Sequence, residues 1–152
     1  MSSDDPHHPV PLVLFDNRQE RPVDEDALAD LARTTMTGEG VAGGELSVSF
    51  VTPEEIEELH VRYMGEPGPT DVLSFPQDDD IATVDRGSSP ALLGDVVICP
   101  AEAEDNNPHD VEGELRLLLV HGILHLLGYD HEEDAERAQM WARQEHYVGR
   151  AS

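Results

Sequence analysis

The sequence predicts an α+β domain in which a small mixed sheet of four short strands packs against about five helices. Three observations support this prediction. The segment Leu46–Val51 alternates apolar residues with Ser47 and Ser49, which is typical of a half-buried strand. The segment Val23–Thr37 instead spaces its apolar residues as one face of an α-helix does. Predicted helices separate the predicted strands at uneven intervals, which favours an α+β or mixed α/β arrangement.

The predicted strands differ in how strongly apolar they are. Leu92–Cys99 is a near-continuous apolar run, so we expect it to be buried on both faces at the centre of the sheet. Pro76 closes a short extended segment that precedes it in the sequence. The four predicted strands are Val10–Phe15, Leu46–Val51, Val72–Phe75 and Leu92–Cys99.

The predicted helices follow from capping signals and from apolar periodicity. Thr52 can cap a helix with Pro53 in its first turn, and this helix ends near Tyr63, before a stretch rich in glycine and proline. The last predicted helix is amphipathic and carries Met140 and Trp141, which we expect in the core. This last helix is predicted at Asp134–Val148. The remaining predicted helices are Val23–Thr37, Ala101–Asn106 and Val111–Leu127.

The segment His121–His131 carries three histidines in a pattern that suits a metal ion. His121 and His125 are four residues apart, so on a helix they share one face. Gly128 can take the left-handed conformation that ends a helix, which lets the chain fold back so that His131 approaches the first two. Three neutral nitrogen donors with an open fourth position are the pattern of a catalytic zinc site.

The same spacing is close to the HExxHxxGxxH motif of the metzincin proteases. In those enzymes the Glu after the first histidine is the general base. Here that position is Gly122, which has no side chain to accept a proton. Peptide hydrolysis by that mechanism therefore loses its base. A zinc metallopeptidase or amide hydrolase stays as an alternative interpretation of the three histidines.

Two further motifs precede the histidines: PTDVLSFP at Pro69–Pro76 and GDVVICP at Gly94–Pro100. Together with HGILHLLGYDH at His121–His131, they resemble the YbeY family of bacterial endoribonucleases and ribosomal RNA maturation factors. The resemblance spans the chain from about Leu46 to Tyr147, and the three motifs occur in the family's order. It implies a metalloprotease-like mixed sheet with the metal in a cleft.

The resemblance also implies a function. It implies a zinc-dependent endoribonuclease that is specific for single-stranded RNA and binds one Zn²⁺ per chain through His121, His125 and His131. The implied substrate is the 16S rRNA precursor, whose 3′ end is matured, and the implied role includes ribosome quality control. The implied partners are the small ribosomal subunit and its assembly factors. Binding to DNA or to a membrane is not expected. A ribosome-associated factor with a purely structural metal is a further alternative.

The sequence departs from the family pattern at one basic residue. Many members carry an Arg directly after the Tyr that precedes the PTDVLSFP motif, whereas here Tyr63 is followed by Met64. The nearest guanidinium is that of Arg62. Two residues on a helix are about 200° apart, so Arg62 points to another face unless the backbone compensates. Arg62 is the candidate catalytic residue for phosphate contact, and a solvated surface Arg is the alternative.

A metal-bound histidine usually donates its second ring N–H to a neighbouring acceptor, which orients the ring. Tyr129, Asp130 and Glu114 are near enough in the sequence to serve in this way. Asp130 is the first candidate for this acceptor. Alternatively, Asp130 is only a turn residue after the end of the helix.

The charge balance is strongly acidic. Asp and Glu number 33 against 9 basic residues, which gives a formal net charge of -24. Such a composition argues against nonspecific nucleic-acid binding, which usually relies on a basic patch. At physiological ionic strength, however, the Debye length is about 8 Å, so distant carboxylates are screened while a metal and a nearby Arg act at contact range. A salt-rich cytoplasm is the other explanation for the acidity.

The chain has 152 residues, which fits one domain with a real core. We predict a flexible N-terminus at residues 1–9 and a single metal-dependent endoribonuclease domain at residues 10–152. Met1–Pro9 has no signal-peptide pattern and Cys99 is the only cysteine, so we expect a cytoplasmic protein without a disulfide. Leu117–Leu127, the longest apolar region, is well short of the roughly 20 residues that span a bilayer.

Overall fold

The structure is a computed structural model that describes residues 11–41, 43–65, 68, 70–76, 92–128 and 134–148. The predicted flexible N-terminus at 1–9 lies outside the described residues. Within them the strands are β1 (Leu12–Asn17), β2 (Glu45–Phe50), β3 (Val72–Pro76) and β4 (Leu92–Ile98). The helices are α1 (Glu25–Gly38), α2 (Pro53–Met64), α3 (Pro100–Asn106), α4 (Val111–Leu126) and α5 (Asp134–Val148).

The sheet is mixed and has the strand order β1-β2-β4-β3. β1, β2 and β4 are parallel, and β3 runs antiparallel to β4. The predicted α+β fold class, with a four-stranded mixed sheet and five helices, is confirmed. The central position predicted for β4 is also confirmed. β1 continues beyond its predicted end at Phe15, because Asp16 and Asn17 pair with Ser49 and Phe50 of β2.

Helix α4 lies at the centre of the core. It packs on β3 and β4 and is flanked by α1, α3 and α5. The Asp110 carboxylate caps its first turn by accepting a hydrogen bond of 3.0 Å from the Gly113 N–H. Although α4 is strongly apolar, none of the described helices is long and apolar enough to cross a membrane. Its fully or almost fully buried apolar side chains are Leu115, Leu118, Leu119, Val120, Ile123 and Leu124.

Helix α4 lies very close to the sheet at Gly122. A Cβ atom placed there would lie 2.7 Å from Val96 Cγ1 and 3.2 Å from Ser74 Oγ, so there is no room for a side chain. The Ser74 hydroxyl donates a hydrogen bond of 3.1 Å to the Gly122 carbonyl oxygen. This bond joins α4 directly to β3. The helix is thereby held against the sheet at the residue that lies between the two histidines.

Helix α2 covers part of the opposite face of the sheet. The Thr52 hydroxyl accepts a hydrogen bond of 3.2 Å from the Glu55 N–H, which confirms the predicted cap. The helix ends at Gly65, whose φ of 71° is the left-handed conformation that glycine adopts without strain. Under α2 lies a smaller apolar cluster of Val51, Ile56, Leu73, Val97 and Cys99.

Helix α5 is attached to the core by one face. Met140 and Tyr147 are buried in a cluster with Leu31, Val120 and Leu124. The prediction that Met140 belongs to the core is confirmed. The same prediction for Trp141 is wrong, because 59% of this residue is exposed. Consecutive helical residues point about 100° apart, so the neighbour of a buried residue can face solvent.

We expect Gly122→Ala to destabilise the protein, although alanine is the better helix former. The overpacking cost of about 1–3 kcal/mol exceeds the helix-propensity gain of about 1 kcal/mol, since Val96 Cγ1 cannot move without disturbing the core. Urea denaturation would measure the change in the free energy of unfolding. Gln139→Ala, at an exposed position of α5, is the control.

A double variant tests the cause of this loss. Val96→Ala removes the methyl groups that the new Cβ meets, so adding Gly122→Ala to it should cost less than adding it to the wild type. A Gly122→Ala protein at least as stable as the wild type would contradict the close approach of helix and sheet.

Candidate active site

His121 and His125 lie one turn apart on α4, as their spacing predicts. Their ring centroids are 4.6 Å apart and the rings are inclined at 70°. Both side chains are half-buried, whereas Gly122, Ile123 and Leu124 between them are buried. The structure therefore brings two of the three predicted metal ligands together.

The third predicted ligand, His131, lies outside the described residues, as do Tyr129 and Asp130. Gly128 just before them has a φ of 102°, and its N–H donates a hydrogen bond of 3.0 Å to the His125 carbonyl oxygen. The predicted positive-φ glycine at the end of α4 is thus confirmed. Among the described residues alone, no group of three His, Cys, Asp or Glu side chains is arranged to hold a metal ion.

The two histidines line a cavity of about 390 Å³ between α4 and β3. Among the described residues of this lining, Asp71 is the only Asp, Glu, Lys or Arg. Hydroxyl groups come from Thr70 and Ser74, so the wall offers nitrogen and oxygen donors together. The described lining residues are Met64, Thr70, Asp71, Val72, Leu73, Ser74, Pro76, His121 and His125.

Asp71 is held from both its backbone and its side chain. Its carbonyl oxygen accepts a hydrogen bond of 3.0 Å from the Cys99 N–H, next to β4. Its Oδ2 accepts one of 2.9 Å from the Asn106 side-chain amide at the end of α3. The same amide contacts Glu114 Oε2 at 3.4 Å. Glu114, one of the residues predicted to orient a histidine, therefore contacts Asn106.

The sequence analysis did not identify Gln144, which touches the site from α5. Gln144 is 3% exposed, and its Oε1 lies 2.6 Å from His121 Nδ1. A signal for it existed in the sequence. Gln144 follows Met140 by four residues and precedes Tyr147 by three, so it is a polar residue on the buried face of an amphipathic helix.

Arg62 lies on a different surface from the histidines. Its Nη2 is 3.4 Å from Glu58 Oε2 one turn earlier in α2, and both side chains are largely exposed. It borders a separate groove with acidic side chains of the same helix. Met64, in contrast, lines the histidine cavity. The rotation of about 200° between these two positions accounts for the difference.

Cys99 is not available as a nucleophile. It is completely buried under α2, and burial raises the pKa of its thiol above the ordinary value. A thiol that stays protonated and inaccessible does not attack a substrate. The polar chemistry of the described cavity therefore rests on imidazole, carboxylate and hydroxyl groups.

These donors suit a divalent metal ion. Imidazole nitrogen is a common ligand of Zn²⁺, and carboxylate oxygen can complete or support such a site. Because the charged side chain described in this lining is the Asp71 carboxylate, the cavity by itself is unfavourable for a phosphate group. The residues present therefore fit a site in which a cation supplies the positive charge.

Comparison with known proteins gives consistent matches over most of the chain. The family profile described as endoribonuclease YbeY matches residues 14–152. A protein named endoribonuclease YbeY from Thermobifida fusca is 48% identical over 133 residues, which are 84% of this chain and 86% of the relative. One from Acidothermus cellulolyticus is 51% identical over 133 residues, 80% of each chain.

A solved structure is also similar. The solution structure of TM1509 from Thermotoga maritima has a TM-score of 0.59 and 28% sequence identity to this chain. The similarity covers 90% of this chain and 87% of that one. The arrangement of helices around the sheet is therefore shared with an experimentally determined structure.

Proposed function

Because the chain belongs to the YbeY family of endoribonucleases, we propose that it is a metal-dependent endoribonuclease that cleaves single-stranded RNA. The observation that carries this proposal is the pair His121 and His125 in a cavity that also presents Asp71. We further propose that the substrate is the 16S rRNA precursor, cleaved at its 3′ end. The proposed setting is the cytoplasm, on small ribosomal subunits and with their assembly factors, where the enzyme serves in ribosome quality control.

The proposed cofactor is one Zn²⁺, held by His121, His125 and His131. Three neutral imidazoles leave the ion its full double charge, so it would supply Lewis acidity toward a phosphodiester. Such an ion also answers the electrostatic question that the composition raises, because a charge at contact range acts on a phosphate while distant carboxylates are screened.

The protein groups of the cavity have their own tasks. The Asn106 amide engages Asp71 Oδ2 and so orients this carboxylate, whose Oδ1 can accept a hydrogen bond from a ribose hydroxyl or from water. The Ser74 hydroxyl is committed to the Gly122 carbonyl oxygen, which keeps β3 and α4 at a fixed separation. The cavity is thus a rigid frame for a substrate phosphate.

The peptidase alternative finds no support at Gly122. The metzincin general base would need a Glu side chain at this position, where even a Cβ atom meets Val96. The alternative of a purely structural metal requires four protein ligands. A metal-edge absorption spectrum separates it from the proposed site, which has three histidine ligands and a position open to substrate.

Removing the metal or one ligand should abolish cleavage. We expect chelation and His125→Ala each to stop cleavage of single-stranded RNA, and we expect His125→Ala to lower the bound zinc measured by elemental analysis. His109→Ala, at an exposed position outside the cavity, is the matched control and should keep both properties. Cleavage by metal-free protein, after controls for contaminating nucleases, would refute the proposed mechanism.

The proposed RNA substrate has its own test. Purified small-subunit particles that carry 16S rRNA with an extended 3′ end should be shortened by the wild-type protein but not by His125→Ala. Sequencing of the product ends would locate the cleavage. Particles left intact by a protein that still cleaves short single-stranded RNA would contradict the ribosomal substrate and leave the ribonuclease activity in place.

Arg62→Ala distinguishes the two interpretations of this residue. Direct contact with the phosphate in the transition state predicts a loss of roughly 10²-fold in kcat/KM with unchanged metal content. Because Arg62 borders a groove other than the histidine cavity, we expect a change of only a few-fold. Met64→Arg, which puts a guanidinium at the wall of the cavity, should instead lower KM for RNA.

A further inference from the structure

We infer that Gln144 is a positioning residue that sets the tautomer and the orientation of His121 for metal binding. The inference rests on the proposed function, because it assigns a role toward the proposed Zn²⁺. Its starting point is the contact of 2.6 Å between Gln144 Oε1 and His121 Nδ1. No role follows from the sequence spacing, since the two residues lie 23 positions apart on different helices.

The contact determines which ring nitrogen carries the proton. An amide oxygen can only accept a hydrogen bond, so Nδ1 of His121 must be the donor. In a neutral imidazole the other nitrogen, Nε2, then has the free electron pair that a metal requires. The Gln144 amide therefore selects the tautomer in which His121 offers Nε2 to an ion.

Gln144 is itself rigidly placed. It is 3% exposed and lies on the α5 face that buries Met140 and Tyr147. The Tyr147 hydroxyl donates a hydrogen bond of 2.6 Å to Glu39 Oε2, just beyond the end of α1. Arg143 Nε is 3.6 Å from the same carboxylate oxygen. These contacts attach α5 to α1 on both sides of Gln144 in the sequence.

Burial explains why this acceptor is effective. A hydrogen bond away from water is stronger than an exposed one, and a buried amide that loses its partner carries the full desolvation penalty. Partners of this kind typically change metal affinity by about 10–100-fold when they are removed. We therefore expect the role of Gln144 to be visible in zinc affinity as well as in stability.

Two substitutions separate this role from simple packing. Gln144→Glu keeps the shape and an oxygen acceptor, whereas Gln144→Met keeps the length and removes the acceptor. A residue that only fills space would tolerate Met at least as well as Glu. Gln139→Met, on the exposed side of α5, is the control for adding a methionine to this helix.

The first measurement needs no metal. In the full-length, metal-free protein labelled with ¹⁵N-histidine, NMR well above the ordinary histidine pKa should show the Nδ1–H tautomer of His121. We expect Gln144→Glu to retain this tautomer and Gln144→Met to populate the Nε2–H form. An Nε2–H tautomer in the wild type, or an unchanged spectrum of His121 in folded Gln144→Met, would overturn the inference.

The second measurement is zinc affinity by competition with a chromophoric chelator. We expect Gln144→Met to bind zinc about 10–100-fold more weakly, while Gln144→Glu and Gln139→Met stay within a few-fold of the wild type. Equal affinity of wild type and Gln144→Met would overturn the inference while leaving the ribonuclease proposal intact. A wild type without zinc affinity would refute the proposed cofactor and, with it, the role of Gln144 in metal binding.

Discussion

The close contact between α4 and the sheet at Gly122 is the constraint on which the rest of the structure depends. The missing side chain lets the helix approach Val96, and the hydrogen bond from Ser74 holds it there. Since His121 and His125 flank this point, the same contact places their rings beside β3. The residue that lacks the metzincin general base is therefore also the one that lets α4 lie close to the sheet beside the cavity.

The site combines parts of the chain that are distant in sequence. Asp71 lies just before β3, α3 orients it through Asn106, α4 carries the histidines, and α5 brings Gln144 to the first of them. The two contacts that join these elements are short, at 2.9 Å between Asn106 and Asp71 and 2.6 Å between Gln144 and His121. Precision of this kind requires rigid elements, because a displaced donor or acceptor loses most of its interaction energy.

The acidic composition is compatible with a nucleic-acid substrate when the charges are considered by distance. A net charge of -24 opposes broad, nonspecific attraction to RNA. At the cavity, the two imidazole rings stand beside a single described acidic side chain, Asp71. A divalent ion bound there would dominate the local field, because screening removes the remote carboxylates first.

The sequence by itself determined what depends on the local backbone. Helical periodicity put His121 and His125 on one face, and the capping role of Thr52 followed from residue type and order. Only the tertiary structure decided which side chains from different elements meet. In the folded structure Trp141 faces solvent and Gln144 contacts His121. Both outcomes depend on how the helices pack. Periodicity defines the face of a helix, but the neighbour of that face is set by the rest of the core.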